Sequence, residues 1–303
     1  MDLKSKIILI SGPTASGKSS FAIKLAKKIE GEIINADSMQ IYKELKILSA
    51  RLEPKNYKKI KHHLYGFQNI KNNFSTGDWL KLAIKKIKEI KKRKRVPIFV
   101  GGTGLYFKAL SDGLVNIPNI PIRFRTTIRA EHKKLGQKKF YQKLLKLDLT
   151  SKNKINPTDT QRTIRAYEVK KFTKKSIHNW FKDTKSFFKE DDFYKIYIEF
   201  PREELIEKIN ARTKQMIKLG AINEVKRFIK LKVKKDKSVN KAIGINEIKE
   251  YLNNEKNLKE IVEKISIKTR QYAKRQSTWA RGNMMSWFKL SPQEMNKFLK
   301  KFK

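Results

Sequence analysis

The chain has 303 residues, 39% hydrophobic and 33% charged, enough for one large or two modest domains with a true core and typical of a soluble globular protein. It contains no cysteine, which excludes disulfides and thiolate metal sites, and no stretch approaching the roughly 20 apolar residues of a membrane span. A formal net charge of +43, from 72 Lys+Arg against 29 Asp+Glu, points to a polyanionic partner. The excess is mostly lysine and accompanies many Ile and Asn residues, as an AT-rich genome would produce, so charge alone does not establish RNA binding.

Residues 6–10 form a short apolar run that reads as a buried strand. The chain enters it at once, leaving no room for a signal peptide, and a cytoplasmic location is expected. Next comes GPTASGKSS (12–20), with Gly12, Gly17, Lys18 and Ser19 in a Gly-x4-Gly-Lys-Ser pattern around Pro13, Thr14, Ala15 and Ser16. Backbone N–H groups of such a loop wrap an anion, the lysine reaches the terminal phosphates, and the Ser19 hydroxyl holds magnesium. The loop specifies a phosphate chain. It leaves open whether that chain is ATP for hydrolysis, a phosphoryl donor, or a pyrophosphate about to leave another molecule.

A helix is predicted from Ser19 to Ile29 and a strand over 32–36, leading into IINADSMQIY (33–42). Ligands of open α/β sheets gather at the carboxyl ends of strands, so Asp37 falls beside the loop. It can serve as a metal-water ligand, as a general base, or as the cap of the next turn. Neighbouring His62 and His63 point opposite ways in a strand and have no third ligand at helical spacing, so no metal is assigned to them. From Thr76 to about Lys94, Leu80, Ala83, Ile84, Ile87 and Ile90 make one apolar stripe of a helix. That helix ends in KKRKR (91–95), read as solvated cations complementing the dipole. A strand over 96–100 then runs into Gly101-Gly102-Thr103-Gly104. Its end carries no acid, which weakens an ATPase reading and favours a second phosphate contact at Thr103.

Strands alternating with helices imply an α/β fold with a parallel sheet. Residues 115–190 interrupt it with a helical, basic segment, taken as an insertion into a core of 1–114 and 191–303. Asn156-Pro157-Thr158-Asp159 signals a helix start, after which Gln161 and Arg165, and Arg162 and Arg165, share faces. Opposite Ile164, Tyr167 and Val169, these donors are either an ordinary amphipathic helix or a face that reads phosphates or bases. A strand follows at 194–200, then helices over 202–219, 221–232 and 257–281. In the last, Val262, Ile265, Thr269, Tyr272, Gln276 and Trp279 make a seam read as core. Lys264, Lys268, Gln271 and Arg275 stand away from it, either solvated or along an RNA backbone. Only the basic KFLKKFK at the C-terminus reads as disordered.

In this order, GPTASGKS, NADSMQIY, HHLYG, VGGTGLYFKAL, INPTDTQRTIRAYEV, KLGAINEVKRF, KAIG and TRQYAKRQSTWARG resemble the tRNA dimethylallyltransferase family over about residues 6–282. The resemblance implies a phosphate-loop NTPase-like core plus a mainly helical insertion that grips the anticodon stem-loop. It implies that the loop from Gly12 to Ser19 holds the pyrophosphate of dimethylallyl diphosphate with Mg2+, and that the product is an isopentenylated exocyclic amine on the adenosine 3′ of the anticodon. Asp37 becomes the base, with Thr103 and Arg125 beside the reaction. Asp37, Ser38, Met39 and Gln40 match a tRNA-contacting stretch, as do Gln161, Arg162, Thr163, Ile164 and Arg165; Arg212 is a weaker carry-over. A monomer without membrane contact is expected. The sequence departs from the family pattern at Ser49–Pro54 and at Ile245, where an aromatic that stacks on tRNA is common. Competing readings are a phosphate-loop kinase of a nucleoside or small molecule, and a prenyltransferase of free adenine nucleotides.

Overall fold

The computed structural model describes residues 3–57 and 59–302. It divides into two compact units: one made of the chain up to Ser111 and from Phe188 onward, the other Asp112–Phe187. Strands β1 (Ile7–Ser11), β2 (Gly31–Asn35), β3 (His62–His63), β4 (Val96–Gly101), β5 (Phe193–Ile198) and β6 (Phe288–Leu290) lie in the first unit. So do helices α1 (Lys18–Lys28), α2 (Thr76–Lys92) and α3 (Gly104–Ser111). The second unit holds α4 (Ile122–Leu147), α5 (Thr160–Thr173) and α6 (Ile177–Lys182). After β5 the first unit resumes with α7 (Arg202–Lys218), α8 (Ala221–Lys230), α9 (Ile245–Leu252), α10 (Leu258–Asn283) and α11 (Pro292–Lys300).

The strands pair in the order β3-β2-β4-β1-β5-β6, every pair parallel. Parallel strands are covered on both faces, which is why β1, β2 and β4 are buried throughout. Ile8, Ile10, Ile33, Ile98 and Val100 pack with Phe21 and Leu25 of α1 and with Phe298 and Leu299 of α11. On Phe99 lies Trp79 of α2, ring centroids 5.8 Å apart, and Trp79 stacks on Tyr106 of α3 at 4.2 Å. The start of α2 is closed by a capping box, in which the Asp78 N–H donates to Ser75 Oγ and the Ser75 N–H to Asp78 Oδ2.

The four expected strands of the sheet lie within one or two residues of their predicted bounds. Two expectations are corrected. The C-terminal tract read as disordered supplies the last turns of α11 through Lys300, because Phe298 and Leu299 are buried against α1. The KKRKR run is not simply solvated. Arg93 donates to Glu32 from Nε (3.1 Å) and Nη2 (2.7 Å), and Arg95 reaches Glu30 at 2.6 Å, tying the end of α2 to β2. His63 Nε2 also meets Glu32, at 2.7 Å, while the His62 ring stacks on Tyr57.

In the second unit, α4 kinks at Gly136, whose φ of 74° suits glycine. Phe140, Leu144, Ala166, Tyr167 and Val169 form its core.

Candidate active site

The first strand ends at Ser11, and the chain turns through a loop with Ala15 (φ 66°) and Gly17 (φ 81°) in the left-handed region before α1 begins at Lys18. Lys18 folds back over this loop and donates from Nζ to the Pro13 carbonyl at 3.1 Å. Burial pulls its amine down to about 8; the Asp37 carboxylate opposes that shift and the Arg212 cation adds to it. Arg212, from α7, donates to Thr14 Oγ1 at 3.0 Å, and burial lowers its pKa too. The Ser16 hydroxyl is buried inside the loop with no hydrogen-bond partner among the described residues. Lys18, Ser19, Asp37, Gln40, Lys208 and Arg212 line a cleft of about 340 Å³ here.

Asp37 follows β2 and is held by its own turn. Its N–H donates to Asn35 Oδ1 at 2.9 Å, the Asn35 amide donates back to its carbonyl at 2.9 Å, and Asp37 Oδ1 accepts the Met39 N–H at 2.9 Å. The capping role and the place at the cleft therefore coexist. The next N–H, of Ser38, donates to Thr103 Oγ1 at 2.9 Å. Thr103 and Asp37 are thus joined through one residue.

The glycines around Thr103 border the clefts and are also closely packed by protein. A Cβ on Gly101 would lie 2.0 Å from the Ala36 carbonyl oxygen, one on Gly102 2.0 Å from Gln276 Nε2, and one on Gly104 2.3 Å from the Trp279 ring. Protein fills the room they leave. Thr103 itself borders a second cleft, of about 290 Å³, with Ser38, Tyr272, Gln276 and Trp279.

The seam of α10 is core only at its start. Ile265 is buried and, with Thr269, Tyr272, Asp37, Arg212 and Arg275, lines a third cleft of about 320 Å³. Gln276 and Trp279 line the second. Burial and the charge of Asp37 raise the Tyr272 phenol. The basic face divides: Lys264 pairs with Glu250 and Lys268 with Glu247, and Arg275 borders the clefts. The turn just before the Ser49–Pro54 departure is anchored by Glu224, whose carboxylate accepts the N–H groups of Lys46 and Ile47 at 2.8 Å and Leu48 at 2.9 Å. Sequence reading missed Glu224, although a carboxylate on the face of Ala221, Val225 and Phe228 was its signal. Ile245 is fully buried in the core, so this position offers no ring to a ligand.

The second unit holds the remaining predicted residues. Arg125 and Arg129 of α4 and Arg165 of α5 surround one buried carboxylate, Glu168, at 3.4, 3.4 and 3.6 Å. Arg129 and Glu168 were not anticipated; Glu168, three residues after Arg165, was the available clue. Gln161 and Arg162 are exposed and Ile164 is half-buried. Thr163 is fully buried, its hydroxyl donating to the Asp159 carbonyl at 2.7 Å and accepting from Gln137 Nε2 at 3.2 Å.

Among the described residues no three His, Cys, Asp or Glu side chains converge as a metal cage, and no helix is long and apolar enough to cross a membrane. A Ser19 hydroxyl in the same cleft as Asp37 suits magnesium, which is held largely by substrate phosphates and water.

A six-stranded parallel sheet with a phosphate loop after its first strand, and polar groups gathered at the carboxyl edge, defines a phosphate-loop, NTPase-like α/β protein. Residues 40–283 match the IPP transferase family, and the chain belongs to that family. It is 62% identical over 303 residues to a tRNA dimethylallyltransferase of Pelagibacter ubique (strain HTCC1062), spanning 100% of this chain and 97% of that protein. Identity to the tRNA dimethylallyltransferase of Rickettsia massiliae (strain Mtu5) is 43% over 302 residues, 99% of this chain and 83% of that protein. The crystal structure of the tRNA isopentenylpyrophosphate transferase of Bacillus halodurans is similar at a TM-score of 0.69 and 31% identity, covering 98% of this chain and 95% of that one. A eukaryotic dimethylallyltransferase acting on tRNA is similar at a TM-score of 0.82 and 27% identity, over 94% of this chain and 73% of that one.

Proposed function

We propose that this protein transfers the dimethylallyl group of dimethylallyl diphosphate to the exocyclic amine of the adenosine 3′ of the anticodon in tRNA. The observation that carries this reading is the convergence of the phosphate loop, Arg212, Asp37 and Thr103 on one sheet edge in a member of this family.

The diphosphate lies in the cleft of the loop, where Lys18, Arg212 and the loop amides of residues 15–19 other than that of Ser16, which donates to the Pro13 carbonyl, meet its charge. Arg212 is assigned there rather than to tRNA, since it bonds to Thr14. The allylic C1–O bond breaks heterolytically and its electron pair leaves with the diphosphate, stabilised by these preorganised positive groups. Magnesium held by Ser19 and the phosphates supplies further charge neutralisation when bound. The adenine amine is a weak nucleophile because its lone pair is delocalised into the ring. As its nitrogen bonds to C1, the Asp37 carboxylate accepts the proton. The Ser38–Thr103 bond keeps that carboxylate's turn in place, and Ser38, Met39 and Gln40 border the extruded base. Gln161, Arg162 and Arg165 meet the phosphates of the anticodon stem-loop, and Arg125, expected beside the reaction, is assigned with them because it shares Glu168 with Arg165; the excess of positive charge over the chain strengthens that encounter.

The test incubates purified protein with magnesium, unmodified tRNA and labelled dimethylallyl diphosphate, alongside ATP-only and AMP-acceptor controls. Label on tRNA alone is expected. Label on AMP would make the acceptor a free nucleotide, and phosphate transfer from ATP without prenyl transfer would make the protein a kinase.

A further inference from the structure

Gln276 of α10 sits at the site and uses both ends of its amide inside the protein. Its Oε1 accepts the Thr14 N–H at 2.8 Å, and its Nε2 donates to the Gly102 carbonyl at 2.9 Å. A Cβ on residue 102 would fall 2.0 Å from Nε2, so a larger residue there would push this amide aside and break the bond. Phosphate loop, glycine turn and last long helix therefore meet on one amide.

From that amide two short chains of bonds lead to the reacting groups. On one side Thr14 accepts from Arg212 at 3.0 Å and belongs to the loop closed by Lys18. On the other, Gly102 precedes Thr103, whose Oγ1 accepts the Ser38 N–H beside Asp37. The Thr14 N–H, turned to Gln276, is not among the amides left for the diphosphate. Gln276 thus acts through its neighbours.

We propose that Gln276 is a positioning residue that fixes the spacing between the diphosphate cradle and the Asp37 base. The inference rests on the transfer reaction proposed above. A fixed spacing matters most once the C–O bond is breaking and the new C–N bond is forming, so it acts on turnover more than on binding.

Gln276→Met keeps the length of the side chain and loses both bonds. Its kcat for tRNA prenylation is expected to fall about 100-fold, with the KM for tRNA and the Kd for dimethylallyl diphosphate within about 3-fold of wild type. Gln276→Glu keeps an acceptor for Thr14 but turns a second oxygen on the Gly102 carbonyl. Protonation gives that carboxyl an O–H donor, so its activity relative to wild type should rise as pH falls from about 8 to about 6. Gly102→Ala breaks the same bond from the other side and should lower kcat similarly. Combining it with Gln276→Ala relieves the clash, restoring Tm but not kcat. Full kcat in Gln276→Met overturns the inference, as does a loss matched by equal losses of substrate affinity or a Gln276→Glu profile parallel to wild type. Wild type assayed in parallel separates the two ideas. If it fails to label tRNA, the transfer reading falls and takes this inference with it; if it labels tRNA while Gln276→Met is undiminished, only the inference falls.

Discussion

Dimethylallyl diphosphate should bind this protein with a pH dependence that reports Lys18. The side chain is enclosed by its own loop and lies near a second cation, Arg212, so its amine loses a proton at about 8 instead of the ordinary 10.5. A ligand diphosphate is fully ionised above its last pKa of ~6, and it favours the charged amine. Affinity should therefore be flat up to about pH 8 and then fall by about 10-fold per unit, leaving Kd at about pH 9.5 roughly 30-fold weaker than at neutral pH. Calorimetry in buffers of different ionisation enthalpy, without tRNA and at constant magnesium, reads the same event directly. At about pH 8.5 binding should take up ~0.8 proton. Lys18→Arg, which stays charged, should flatten the curve. The sign for folding is separate. In the ligand-free protein the unfolded lysine holds its proton up to 10.5 while the folded one releases it at about 8, so Lys18 makes stability rise with pH across that window. A Kd constant between about pH 7.5 and 9.5 with no proton uptake would show that Lys18 does not meet the diphosphate as a depressed amine.

Asp37→Ala should retain tRNA affinity and lose turnover by about 10³-fold, the scale of general base catalysis; near-normal kcat would remove Asp37 as the base. Affinity for tRNA should fall steeply with salt, with a slope of log Kd against log salt of at least ~4, and a flat response would contradict the electrostatic reading. Glu168→Gln removes the carboxylate shared by Arg125, Arg129 and Arg165, whose side chains are 38%, 58% and 35% exposed. Solvent moderates the repulsion left behind, so urea unfolding should show a loss of about 1–3 kcal/mol, and no loss would mean that the carboxylate does not order these guanidiniums.

Much of the arrangement is carried by local sequence. Continuous apolar runs at 7–10, 33–34 and 96–100 demand a sheet covered on both faces, and glycine with a lysine at fixed spacing shapes an anion-binding turn wherever it occurs. Asp37 could be placed at the sheet edge because a strand end sets its position, but not given a role from spacing alone. The tertiary structure decided what depends on residues far apart in the chain. Thr14 meets Gln276 across 262 positions and Arg212 across 198, and no periodicity encodes such pairings. The same holds for the glycines at 101, 102 and 104, which border the clefts and whose side-chain space is taken by Ala36, Gln276 and Trp279. It also holds for Glu168 and Glu224, charged residues on helix faces that only their assembled partners could mark as buried and satisfied. Backbone preference and periodicity act over a few residues, whereas burial and side-chain pairing exist only once distant elements have packed.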